Sequence, residues 1–279
     1  MSFLDRFRRG KSVEPIRDVA ALTAPFAAPA LQLRLGDRPC KSHVGGLPAL
    51  PETVQWPTRN GTRLGFLARL SLQEVHAALR VPWLPGSGAL LFFYDLDKQP
   101  WGFDPKDRGG WAVLHVEDLN APAVATDTDE KGSALPVPFR FVEFSVVQSI
   151  PGCDREQITA LALSEPEFEE LERITAAPFN GAPRHQLAGF PSPVQGDEME
   201  LEAQLVSHGL YCGNNSGYLD PRAEALRPGA TDWRLLLQFD SDDDLGLMWG
   251  DAGMLYFWVR EPAALAGDFS DAWLVLQCC

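Results

Sequence analysis

The chain has 279 residues, 45% of them hydrophobic and 22% charged, a balance that excludes a disordered, collagen-like or coiled-coil protein. Twenty-four Lys and Arg stand against 38 Asp and Glu, a net charge of −14. So acidic a chain repels phosphate backbones and anionic lipid surfaces, which speaks against nucleic-acid and membrane partners, and no run reaches the ~18 apolar residues of a membrane span.

In chain order, Met1 to Lys11 carries Arg6, Arg8, Arg9 and Lys11 against Asp5. No apolar stretch follows, so it reads as a basic arm, with a weak membrane tether as the sharper alternative, and not as a secretory signal. Residues 1–38 are expected to form an arm plus a first helix or strand, with Pro25 and Pro29 marking a loop. From His43 to Pro57 a Gly/Pro-rich stretch winds as a rigid lid over a sheet. Residues 64–70 read as a buried strand. Ser71 and Glu74 then form a capping box for a helix with Leu72, Val75, His76 and Leu79 on its apolar face, ended by Pro82. Residues 89–94 and 111–116 read as strands, 120–138 as a surface loop, and 139–147 as a strand buried on at least one face. Asp154 with Gln157 opens a helix carrying Ile158, Leu161 and Ala162. Ser164 with Glu167 opens another that turns Phe168, Leu171 and Ile174 inward. After a Gly/Pro loop over 179–195, residues 199–208 read as a helix closed by Gly209, against a weaker strand reading. Residues 235–239, 254–259 and 273–277 read as strands.

The five cysteines (Cys40, Cys153, Cys212, Cys278 and Cys279) make no C-x-x-C spacing. A disulfide framework or a zinc site is therefore not expected, and a reducing cytoplasm is the expected compartment. The histidines His43, His76, His115, His185 and His208 have no zinc-ligand spacing. His76 and His115 read as satisfied structural residues. There is no G-x-S-x-G, P-loop or G-x-G-x-x-G, and no cofactor is implied; a Cys–His pair that meets only in space stays open.

The most unusual composition is Asp240, Ser241, Asp242, Asp243, Asp244, Gly246, Trp249 and Asp251, with five acids and no base over 240–251. Asp240, Asp242, Asp244 and Asp251 imitate a calcium-loop ligand pattern. The glycine falls one place late, the last acid is Asp where Glu is usual, and the flanks read as strands. Two alternatives stand beside metal binding: a solvated acidic hairpin, and a contact patch in which Trp249 anchors a basic partner steered by Asp240, Asp242, Asp243, Asp244 and Asp251. A second polar cluster, His185-Gln186 with Gln195, Asp197 and Glu198, adjoins Glu200 and Glu202 and reads as a charged face; Gln195 and Asp197 join the partner-binding candidates.

Two stretches echo one another. Phe66 to Ser71, then Gly88 to Tyr94, is matched by Leu235 to Asp240, then Gly253 to Val259. Each is an apolar strand, a polar connection, a Gly and an aromatic strand, suggesting a duplicated unit or simply two similar hairpins. With these, Gly45-Gly46-Leu47-Pro48-x-Leu50-Pro51, Trp56-Pro57, Asp107-Arg108-Gly109-Gly110-Trp111, His185-Gln186-Leu187-x-Gly189-Phe190-x-x-Pro193-Val194-Gln195-Gly196-Asp197 and Gly250-Asp251-Ala252-Gly253 resemble, as an ordered set over about 40–279, the YwqG family (domain of unknown function family 1963). The resemblance implies an α+β fold of mainly antiparallel sheets with an internal duplication and a few peripheral helices, and no established activity. More distantly the echo is similar to the programmed-cell-death-2 and Tsr4 chaperones of a ribosomal protein, and some bacterial members are linked to toxin neutralisation; both are protein-binding roles.

The expected organisation is an N-terminal arm, 1–38, and a domain over 39–279 with two similar halves about 39–150 and 151–279. The expected function is a cytoplasmic, non-catalytic, chaperone-like or toxin-neutralising module for a basic protein or peptide. The alternative is a metal-dependent hydrolase or Ca-binding protein using 240–251. A third reading is a small-ligand site between the halves.

Overall fold

Apolar strands joined by short Gly/Pro connections build a ten-stranded, wholly antiparallel sheet with helices at its periphery, an α+β fold. The computed structural model describes residues 16–51, 54–117 and 137–279. The basic arm and most of the 120–138 loop lie outside these residues.

A short helix, α1 (Val19–Thr23), opens the described chain, capped by Asp18, whose carboxylate accepts from Ala21 N. The expected loop at Pro25 and Pro29 is only partly a loop. Pro25 sits in a 3-10 turn, and Pro29 is the second residue of strand β1 (Ala28–Gly36). Strand ends tolerate a missing N–H. β2 (His43–Val44) follows, then a small hairpin of β3 (Thr58–Arg59) and β4 (Thr62–Arg63). Its turn, Asn60-Gly61, has φ of 51° and 82°, the left-handed pair a two-residue hairpin needs. β5 (Gly65–Ser71), helix α2 (Leu72–Ala78), β6 (Ala89–Tyr94) and β7 (Trp111–Val116) lie where the sequence places them. The capping box of α2 does not form. Glu74 instead accepts from Lys41 N, Ser42 N and Ser42 Oγ at 2.8, 2.8 and 2.6 Å, so it ties down the loop leading into β2.

β8 (Arg140–Ser149) buries Val142 and Ser149 only. Helix α3 (Glu156–Thr159) is a single turn, so Leu161 and Ala162 fall beyond it. Helix α4 (Glu165–Ala176) has the expected box between Ser164 and Glu167. It buries Leu171, but Phe168 remains 37% exposed, a correction to its inward assignment. Then come β9 (Gln186–Leu187), α5 (Met199–Ser207) with Gly209 at φ 87° just beyond, and α6 (Ala223–Leu226). β10 (Trp233–Asp240), β11 (Met254–Arg260), α7 (Glu261–Leu265) and β12 (Trp273–Gln277) complete the chain.

The strand order is β12-β11-β10-β9-β1-β8-β2-β5-β6-β7. It has the same form from either end: a three-stranded meander, a two-residue strand, then one member of the central β1–β8 pair. The details repeat. A bulge lies between Phe66 and Ala68 in β5 and between Leu235 and Leu237 in β10. His43 stands opposite Arg69, and Gln186 opposite Gln238. After the two-residue strands, Gly45-Gly46 has φ of 62° and 71°, and Ala188-Gly189 has 61° and 71°. Phe92 and Phe257, each paired with the residue after a bulge, meet edge to face at 5.3 Å.

The two ends of this order are brought together. Leu276 N donates to Trp101 O, Trp273 Nε1 to Gly102 O and Trp111 Nε1 to Ala272 O, at 2.9, 2.8 and 2.8 Å. Gly102 has φ 82°, and a Cβ there would stand 1.7 Å from Leu274 O; only glycine allows this approach. The 98–108 segment thus covers the outer edge of β12.

All five cysteines are thiols; Cys153 and Cys279 are exposed, Cys212 and Cys278 buried. A thiol reagent such as DTNB should therefore modify two groups promptly in the native protein and the others slowly or only on unfolding. Prompt reaction of four or five would contradict the packing described.

Candidate functional site

The acidic segment is divided: Asp240 and Asp242 turn toward the chain and the other three acids face solvent. Asp240 accepts from Arg184 N at 2.7 Å. Asp242 is buried, caps Asp244 N at 2.9 Å and accepts from His185 Nε2 at 3.0 Å. That bond from His185 holds the Asp242 carboxyl below its ordinary range, with burial opposing. His185 Nδ1 accepts from Asp240 N at 3.1 Å, which fixes the proton on Nε2. Both ring nitrogens are occupied, so the imidazole has no free lone pair for base catalysis. Trp249, expected as a docking anchor, is 1% exposed. Its indole donates to Asp240 O at 3.0 Å and its ring meets Tyr94 at 5.6 Å, so it is a core residue. Asp243, Asp244 and Asp251 remain in solvent. The four metal candidates do not converge: among the described residues no three His, Cys, Asp or Glu gather as a metal site.

The second cluster is dispersed too. Gln195 is exposed. Asp197 is buried against Arg155, which donates from Nε and Nη2 at 2.6 Å each and also reaches Glu200 at 2.9 Å. Asp197 is therefore no free docking group. Of the other histidines, His76 and His115 bond Pro85 O and Ser87 O at 2.8 and 2.9 Å. His43, bonded through Nδ1 to Gly45 O at 3.0 Å, is held neutral by burial, which lowers its pKa to about 4.

What the structure adds is a cleft of about 710 Å³. Its floor is one sheet face, Trp233, Leu235 and Trp258, the last two directly opposite in register. Its walls include Leu79 and Trp83 from the loop after α2, Phe190 from the loop after β9, and Leu201 of α5. Early and late parts of the chain thus share it. Arg155 lies over the Phe190 ring at 5.2 Å. Glu200 lines the same space, and burial raises its carboxyl above the ordinary range, with Arg155 opposing. Volume and apolar lining are those of a small-molecule site. Trp258 is legible in the sequence only as a strand residue, and Trp233 lies just outside the strand read over 235–239; the regular Trp233↔Arg260 and Leu235↔Trp258 pairing puts both indoles on one sheet face.

A family model described as a domain of unknown function (DUF1963) matches residues 42–278. The chain belongs to this family. No curated protein matches it. The DUF1963 match starts after β1, yet β1 pairs from Ala28↔Ser149 to Gly36↔Phe141 in the middle of the sheet. Within this DUF1963 chain the 184–197 stretch is a strap held by buried glutamines. Gln238 accepts from Ser192 N and donates to Arg184 O; Gln277 accepts from Val194 N and Gln195 N and donates to Gly196 O. Tyr256 adds a bond to Ser192 O at 2.7 Å. In the first half Glu74 does the same for the 41–42 backbone. Such polar side chains therefore secure loop backbone that has few regular partners of its own. No helix among the described residues is long and apolar enough to cross a membrane.

Proposed function

We propose that this DUF1963 chain is a non-catalytic binding module that shelters a basic protein or peptide, chaperone-like or toxin-neutralising, in a reducing cytoplasm. The observation that supports it most is how the fold uses its chemistry-bearing groups. His185, Asp242, Asp197 and Glu74 are each bonded to other parts of the chain. The acids left outside, Asp243, Asp244 and Asp251 and the Glu165, Glu169 and Glu172 face of α4, belong to a chain with a net charge of −14. A long-range field of that sign attracts cationic partners and weakens with salt. The metal-dependent alternative has less support, since Asp240 and Asp242 accept from Arg184 N and His185.

The test uses a fluorescein-labelled basic decapeptide of lysine and leucine. Binding measured by anisotropy should be saturable, should weaken at least tenfold when salt is raised across the physiological range, and should fall at least fivefold in Asp243→Lys/Asp244→Lys/Asp251→Lys. These positions are exposed, so the variant should keep the native melting temperature. No binding at low salt, or equal binding by the variant, would overturn the reading.

A further inference from the structure

Strand β1 is fully paired on one side only. Toward β8 its ladder runs from Ala28 to Gly36. Toward β9 it covers Leu31 and Gln32, and Leu33 N then donates to His185 O at 2.9 Å. In an antiparallel sheet the main-chain groups of alternate residues point to the same side. Leu35 therefore turns its N–H and C=O the way Leu33 does, where they meet no partner among the described residues. Val142, opposite Leu35 in β8, turns away likewise and donates to Ser42 O at 3.0 Å. A pocket of about 420 Å³ lies at this gap in the sheet, lined by β1 residues 32–35 and by Phe179, Asn180 and Pro183.

The side chains that line it hold unused donors. Gln32 is 2% exposed, and its Oε1 accepts from Arg34 Nε at 3.2 Å, which directs its amide nitrogen elsewhere. The unpaired side-chain atoms shut off from solvent are His43 Nε2, Glu202 Oε2 and Trp258 Nε1. Gln32 Nε2 is not one of them and has no partner among the described residues, so it opens on the pocket. Arg34 and Arg140 line the same pocket. Arg140 donates to Phe139 O at 3.0 Å, and neither arginine forms an ion pair among the described residues, although Glu143 stands opposite Arg34 in register. The chain has 38 acids to 24 bases, yet leaves these two guanidinium groups uncompensated. Of the acids lining the pocket, Asp242 has its oxygens engaged by Asp244 N and His185, and Asp244 is exposed.

We infer that this gap takes the carboxyl end of an extended peptide. The peptide main chain adds to the sheet at Leu35, and its terminal carboxylate is held by Arg34 and Arg140, with Gln32 Nε2 as a further donor. This goes beyond the basic-client reading and stands independently of it, since it uses neither the exposed acids nor the chain's net charge.

The probe is an acetylated pentapeptide of serine, alanine and leucine with a free carboxylate, titrated into the full-length protein by calorimetry. One saturable site is expected, and the same peptide ending in an amide should bind at least tenfold more weakly. Arg34→Gln/Arg140→Gln should bind the acid peptide at least tenfold more weakly and the amide-ended one as the parent does. Both side chains are exposed, so this variant should keep the parent's fold. Hydrogen exchange followed by NMR reads the main-chain contact. The Leu35 amide should exchange readily in the free protein and at least tenfold more slowly with saturating peptide. The inference is overturned if millimolar acid peptide gives neither heat nor protection of Leu35, or if the acid and amide peptides bind equally. It is equally overturned if the double variant binds the acid peptide as tightly as the parent.

Discussion

Asp197→Ala should lower the unfolding free energy by about 3–5 kcal/mol, the usual cost of removing one member of a buried ion pair. The Asp197 side chain is fully buried and that of Arg155 is 18% exposed. Burial opposes the charge on Arg155, but Asp197 and Glu200 hold its pKa above the ordinary range. Asp197 also accepts from Gly152 N at 3.0 Å. The alanine leaves both donors facing a space that water reaches poorly, and Glu200 alone must then balance the guanidinium. Urea unfolding at neutral pH measures the loss. Arg155→Met/Asp197→Leu should recover most of it, because an apolar pair leaves no charge stranded. A loss under about 1 kcal/mol for Asp197→Ala, within the range of an exposed pair, would show that the contact is solvated and marginal.

Glu202→Gln should abolish a pH dependence that the parent protein shows. Burial pushes the Glu202 carboxyl up to about 7; the bond from Tyr218 OH at 3.0 Å opposes this, and the acids Glu198, Glu200 and Asp197 add to it. Its Oε2 has no partner among the described residues. The folded chain therefore keeps a proton that the unfolded chain releases near ~4.3. Between these values the native state binds more protons, so stability falls as pH rises from about 4.5 to about 7 and then levels off. The loss from this group is about 3–4 kcal/mol at full deprotonation. Glutamine can still accept from Tyr218 and carries no charge. Its stability relative to the parent should rise by roughly that amount between pH 5 and pH 8 in urea titrations. A difference between the two proteins that is the same at both pH values would contradict the assignment.

The strands that the sequence makes legible are those with contiguous bulky residues, such as Ala89–Tyr94 and Met254–Arg260, where local composition and burial agree. Helix α4 is legible because Ser164 and Glu167 carry both halves of its cap within four residues. β1 is harder. Its one proline, Pro29, signals a loop, and its buried Gln32 breaks the apolar pattern, because Gln32 lies between β8 and β9 deep in the sheet. The site is harder still. Local sequence presents Trp249 and Asp242 as members of an acidic surface turn. Their burial is decided by Tyr94 and His185, both distant in the chain. Likewise the cleft joins residues near 80, 190, 200, 233 and 258, and no local pattern records that meeting.

The central position of β1 has a consequence for how the polypeptide acquires its shape. Ala28 pairs with Ser149 and Gly36 with Phe141, so the middle of the structure joins segments more than a hundred residues apart. The β5–β6–β7 and β10–β11–β12 ribbons close over far shorter separations. Such long loops close late and slowly. Refolding should then pass through two preformed ribbons with open rims, and at that stage crowded molecules would be most prone to exchange segments with one another.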